Sequence, residues 1–123
     1  MKTDPKFKID DTACRAFQRT AELAGRKWNA AIMMGLALGM VRFTELREHV
    51  DGISDRLLTA RLRELEQAQL VARTVIPTTP VQVRYALTPA GEELMRVLSP
   101  LVGWAHRWDT GVANHATEPA DSV

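Results

Sequence analysis

Apolar residues recur at Ala13, Phe17, Ala21 and Ala24, and this spacing predicts a helix from Thr12 to Ala24 that Gly25 ends. From Trp28 to Leu38 the chain is rich in Ala, Met and Leu and almost free of charge. Apolar residues run round most of that helix, so it is expected at the centre of the core, closed by Gly39. Thr44 suits an N-cap, followed by a short helix, Glu45 to Val50, that turns Leu46 and Val50 inward. Asp51-Gly52 predicts a tight turn, and Ser54 is a second N-cap for a helix from Asp55 to about Ala68. The period then shortens. Val71, Arg73 and Val75 fall on alternate positions, as do Val81, Val83 and Tyr85, predicting two strands joined through Pro77-Thr78-Thr79-Pro80. Thr88 and Pro89 open a last helix that runs to about Trp108, with a kink expected at Pro100, which lacks a backbone donor.

Helix, helix, helix-turn-helix, hairpin, helix is the order of a mainly α (α+β) domain. It predicts a winged helix-turn-helix with a two-stranded wing and extra N- and C-terminal helices suited to dimerisation. The expected organisation is a loose N-terminal segment (1–11), the domain itself (12–108) and a flexible C-terminal tail (109–123).

On a helical wheel, Leu57, Leu58, Leu62 and Leu65 share one sector and face the core. The opposite sector carries Arg56, Thr59, Ala60, Arg63 and Gln67. A strip of short side chains between two arginines fits the major groove, where arginine pairs bidentately with guanine and a small residue can meet a thymine methyl. The alternative is an ordinary solvated face, since Glu64 and Glu66 interleave with the arginines. Arg61 lies on the shoulder, toward phosphate or the protein interior. Arg73 and Arg84 sit on the hairpin, with Thr78, Thr79 and Gln82 near its tip, and such an acid-free tip can lie along a phosphate backbone. Lys27, and Arg42 beside the N-cap Thr44, precede helix starts whose free amides suit phosphates.

These residues resemble the HxlR family of bacterial winged-helix transcription regulators. The match is carried by Gly25-Arg26-Lys27-Trp28, by Arg42-Phe43-Thr44-Glu45-Leu46-Arg47, by the run from Ile53 to Glu66, by Tyr85-Ala86-Leu87-Thr88-Pro89-Ala90-Gly91, and by Leu101-Val102-Gly103-Trp104. The resemblance implies a homodimeric, cytoplasmic regulator that binds double-stranded DNA. It places Ser54, Arg56, Thr59 and Arg63 among the base-contacting residues, the face that the wheel selects independently. It also implies a small-molecule, electrophile or oxidant effector, in some members sensed through a cysteine near the N-terminus. Here Cys14-Arg15 stands where the family commonly has Cys-Pro. In Val81-Gln82-Val83-Arg84-Tyr85 the wing's positive charge lies at position 84 instead of 82.

In the last helix Leu94, Val97, Leu98, Leu101, Ala105 and Trp108 recur at helical spacing, with Trp104 beside them. So small a domain cannot absorb them all, and with Phe17 they are the expected dimer interface. A dimer of readers suits a pseudo-palindromic operator with half-sites about 34 Å apart.

The chain has 123 residues, 46% hydrophobic and 25% charged, and carries a net charge of +1. Its acidic tail masks a mildly basic body, since residues 1–108 hold 16 basic and 12 acidic side chains. That balance permits a polyanionic partner without demanding one. No apolar run is long enough for a membrane span, and the first residues lack the apolar stretch of a secretory signal. His49, His106 and His115 lack metal-ligand spacing, and no phosphate loop, nucleophile elbow or paired carboxylate is present. Neither an enzyme, nor a metal, nor a cofactor is therefore expected. Cys14 reads either as a small buried apolar residue, the commoner case, or as a thiol sensor aided by Arg15 and Arg19. The competing reading of the whole chain is a winged-helix protein-interaction module without specific DNA binding.

Overall fold

The computed structural model describes residues 10–108. In chain order it has α1 (Asp11–Gly25), α2 (Asn29–Ala37), α3 (Phe43–His49), α4 (Asp55–Gln67), β1 (Val71–Ile76), β2 (Gln82–Leu87), α5 (Pro89–Leu98) and α6 (Pro100–Arg107). The expected tail from Asp109 onward, and all but the end of the expected N-terminal segment, lie outside the described residues.

Helix α2 is the element on which α1, α3, α4, α5 and β2 all pack. Ile32, Met33 and Leu36 of α2 join Leu46, Val50, Ile53, Leu58, Leu62, Leu65, Val71 and Met95 in one core. Leu57, expected with the other leucines of α4, is half-buried at its edge. Gly35 allows α2 to approach α3 closely. A β-carbon there would stand 2.9 Å from the His49 ring and 3.1 Å from Leu46. His49 is accordingly half-buried.

Three helix ends differ from the sequence expectation. Asp10 caps α1 by accepting from the Ala13 N–H at 2.7 Å, so the helix starts one residue early. Trp28 does not open α2 but holds a left-handed turn, φ +82°, before it. Its ring reaches the α3–α4 turn, 3.6 Å from where a β-carbon at Gly52 would lie. Thr44 is not the N-cap of α3, which Arg42 occupies instead. The Glu45 carboxylate closes that end by accepting from the Val41 and Arg42 N–H groups, each at 2.9 Å. A carboxylate reaching back from the third helical position thus satisfies the N–H groups at and just before the N-cap, half of a capping box.

The C-terminus of α4 reverses through Gln69 at φ +63°. The Leu70 N–H donates to the Leu65 carbonyl at 3.0 Å and the Gln69 N–H to that of Glu66 at 2.9 Å, a Schellman reversal built without glycine. β1 and β2 pair antiparallel, with Arg73 opposite Tyr85 and Thr74 opposite Arg84. The Tyr85 N–H donates to the Val41 carbonyl at 2.8 Å, which ties the hairpin to the α2–α3 linker. Thr88 then caps α5, accepting from the Gly91 N–H at 3.0 Å while its own hydroxyl donates to the Gln69 carbonyl at 2.7 Å.

The expected last helix is two helices meeting at Ser99, which keeps helical dihedrals of φ −59° and ψ −32°. Pro100 supplies no N–H to Arg96, and the Ser99 hydroxyl donates to that carbonyl instead, at 3.4 Å.

Candidate nucleic-acid interface

Helix α3, the Asp51–Ser54 turn and α4 form the helix-turn-helix. Gly52 takes the positive φ of +91° that the turn requires, and Ile53 anchors the turn in the core. The Ser54 hydroxyl accepts from the Leu57 N–H at 3.1 Å, which starts α4. Across the turn, Arg47 of α3 donates to both carboxylate oxygens of Asp55, at 2.9 and 3.1 Å.

The outward face of α4 carries Arg56, Ala60, Arg63 and Gln67, all exposed, with Thr59 half-buried between them. The Thr59 hydroxyl donates to the Asp55 carbonyl at 2.8 Å and retains its acceptor capacity. Arg61 does not join this face. It turns toward Glu64 at 2.9 Å and is only 20% exposed. Glu64 also turns away. Its carboxylate accepts from Arg61 and from the fully buried Asn29, and it pairs with Arg26. Burial opposes its ionisation, but those hydrogen bonds and the two guanidinium charges outweigh burial and hold its carboxyl below the ordinary value. Of the two glutamates that interleave with the arginines, Glu64 is thus neutralised against other partners.

The wing divides its arginines between two faces. Arg84 lies on one face with Gln82, to which it donates at 3.4 Å. Arg73 lies on the other, beside Tyr85, and helps to line a concavity of about 360 Å³ between wing and α4. Thr59, Leu62, Arg63 and Glu66 complete that lining. Arg73, expected on the hairpin but not assigned a phosphate contact, is therefore a candidate contact residue. Its signal was present, since alternation places it on the side of Val71. Thr78 and Thr79 are exposed at the tip, where the Thr78 hydroxyl donates to the Pro80 carbonyl at 2.7 Å.

Lys27 lies over the Trp28 ring, 5.0 Å from its centroid, and Arg42 and Thr44 are exposed at the start of α3. Backbone donors hold the Glu45 carboxyl below its ordinary value, Arg42 contributing most and Val41 next.

On the remaining surface, Phe17, Leu101, Trp104 and Trp108 of the expected interface are exposed, Phe17 by 73%. Leu94 and Leu98 instead pack partly against the chain's own core, and Ala105 is half-buried. Val97, expected on this face, is exposed, and so is Val102, which the expected set missed. An apolar groove of about 450 Å³ runs along this side, lined by Ala21, Ala24, Met34, Leu98, Leu101 and others. Cys14 is exposed, which corrects the reading of it as a small buried residue: α1 buries only Ala24. Among the described residues no three His, Cys, Asp or Glu side chains gather as a metal site, and no helix is long and apolar enough to cross a membrane.

Residues 23–112 match the family model of HxlR-like helix-turn-helix proteins. The chain is 37% identical over 115 residues to the HTH-type transcriptional regulator YodB of Bacillus subtilis, covering 94% of this chain and 96% of that one. Among solved structures it is similar to the reduced form of YodB, with a TM-score of 0.66 and 36% identity over 93% of this chain and all of that one. It is also similar to the redox regulator HypR in its reduced form, with a TM-score of 0.72 and 30% identity over 77% of this chain and 94% of that one. The fold, the helix-turn-helix face and these likenesses agree: the chain belongs to the HxlR family of winged helix-turn-helix transcriptional regulators.

Proposed function

We propose that this DNA-binding regulator acts as a homodimer on a pseudo-palindromic operator, α4 reading bases in the major groove and the wing lying on the flanking backbone. Arg56, Thr59, Ala60 and Arg63 make the base contacts, with Ser54 at the helix start. Lys27, Arg42, Thr44, Thr78, Thr79, Gln82 and Arg84 face phosphates, and Arg73 joins them. Arg61 serves inside the protein. The observation that carries this reading is the outward strip of α4, where Arg56 and Arg63 flank Ala60 while Glu64 is engaged by Arg26, Arg61 and Asn29.

The dimer forms through α1, α6 and the C-cap of α6, where Phe17, Leu101, Trp104 and Trp108 leave an apolar surface that a lone subunit exposes to water. Exposure of Cys14 supports a redox or electrophile input, in keeping with the reduced and oxidised forms known for HypR.

Anisotropy titration against the intergenic DNA beside the protein's own gene, with random DNA of equal length as control, tests the reading. Preference for the intergenic DNA by about a hundredfold or more supports it. Equal, weak binding to both would favour a protein-interaction module. Repeating the titration with diamide on the wild-type and Cys14→Ser proteins tests the thiol.

A further inference from the structure

Glu64 takes no part in the outward face of α4, yet three segments meet at its carboxylate. Oε1 accepts from Arg61 Nη1 at 2.9 Å and from Asn29 Nδ2 at 3.3 Å, and Oε2 meets the Arg26 guanidinium. Arg26 is the C-cap of α1. Asn29, the first residue of α2, also donates to the Leu23 carbonyl in the last turn of α1, at 2.9 Å. One side chain therefore ties the end of α1 and the start of α2 to the middle of α4.

We infer that Glu64 is a positioning residue for DNA reading: it fixes the roll of α4 against the α1–α2 junction, so that the placement of α1 sets the aim of Arg56 and Arg63. The inference rests on the reading that α4 contacts bases. Leu58, Leu62 and Leu65 hold α4 by an apolar seam, which is non-directional and resists sinking or lifting more than rolling. Hydrogen bonds are directional and weaken steeply when misaligned, so the Glu64 contacts resist the motion that the seam permits. A roll of about 15° carries a group ~8 Å from the helix axis sideways by about 2 Å. That displacement is enough to lose a bidentate base contact.

Helix α1 packs on α2, and its side-chain tie to α4 runs through Arg26 and Asn29. The same helix carries the exposed Phe17 and Cys14. A change in how α1 is held, by a partner subunit or by modification of its surface, reaches the reading face through Glu64.

The test compares wild type, Glu64→Gln and Arg26→Gln at a temperature where each is fully folded by circular dichroism. The probes are a duplex selected by the wild-type protein from a random pool and a scrambled duplex of equal length. In Glu64→Gln, affinity for the selected duplex should fall by about tenfold, the scale of one lost base contact, with scrambled binding within about twofold of wild type. Arg26→Gln should move the ratio the same way by about threefold, the scale of an exposed ion pair. An unchanged ratio in both variants, or equal loss on both duplexes, overturns the inference. Arg26 is 54% exposed, so its variant decides the matter if Glu64→Gln does not fold. Should the wild type select no duplex, base reading by α4 fails and hydrogen exchange tests the tie alone. Amides of residues 23–29 should exchange about tenfold faster in Arg26→Gln, and unchanged exchange there overturns the tie.

Discussion

A β-carbon at Gly91 would stand 2.2 Å from the carbonyl oxygen of Leu70. That carbonyl also accepts from the Thr88 N–H at 3.0 Å, so the first turn of α5 is pressed against the α4–β1 reversal. The neighbour is backbone and cannot rotate away. Gly91→Ala should cost about 3 kcal/mol or more, read as a lower urea midpoint, because the strand or the helix must shift to admit one methyl group.

The same reversal holds the opposite lesson at Gln69. Its φ of +63° is a left-handed conformation in which a side chain is strained. Gln69→Gly should stabilise the protein by about 0.5–1 kcal/mol, the relief of strain less the added freedom of glycine in the unfolded chain. A midpoint that falls would show that the Gln69 side chain contributes more than its backbone costs.

Glu45 and Glu64 both ionise more readily in the folded chain than in the unfolded one, whose carboxyls have an ordinary value near 4.5. The unfolded chain therefore takes up protons first on acidification. The stability these groups confer is complete above that ordinary value and is lost as pH falls through their lowered folded values. Glu64→Gln should lower stability at neutral pH by about 1 kcal/mol, the scale of a partly exposed ion pair. Urea midpoints of the two proteins should converge as pH is taken below 4.5. A gap independent of pH would contradict the assignment.

Arg56→Ala and Arg63→Ala should each reduce discrimination between selected and scrambled DNA by about 1–3 kcal/mol. Lys27→Ala should weaken binding to both duplexes alike and lower the salt slope by about one. Arg73→Ala should behave like Lys27→Ala. If all four variants lose affinity equally on both duplexes, the assignment of base contacts to α4 is wrong.

Leu101→Glu places a charge on an apolar surface that is already 59% exposed, so the subunit should remain folded. Sedimentation should show a monomer for this variant and a dimer for wild type. Operator affinity should fall by about a hundredfold or more, because two linked half-site contacts become one.

The order of elements and the face of α4 were legible because both follow from periodicity inside single segments. Leu58, Leu62 and Leu65 turned inward and Arg56, Ala60 and Arg63 outward as the wheel requires. What periodicity could not supply was partner choice across the chain. Glu64 lies 38 residues from Arg26 and 35 from Asn29, and nothing local shows that their meeting removes an acid from the reading face. Helix starts were misread where two solutions compete: Thr44 is a good cap by type, but Glu45 reaches two donors at once. Trp28 was invisible for another reason, since a left-handed tryptophan opposes its own propensity and follows from the packing around it. Arg73 was recoverable by alternation alone, but a charge on the inward register of a strand gains meaning only once α4 is known to lie opposite.

The serine–proline step between α5 and α6 has a mechanical consequence. Helical dihedrals carry through Ser99, while the main chain lacks one donor and a hydroxyl makes up part of the deficit at 3.4 Å. A beam weakened at one cross-section bends there and remains stiff on either side. In a dimer joined through α6, the span between the two reading heads would be adjusted at this joint, with each domain moving as a rigid unit. The spacing of operator half-sites would then be a property of position 100, separable from the bases that α4 selects.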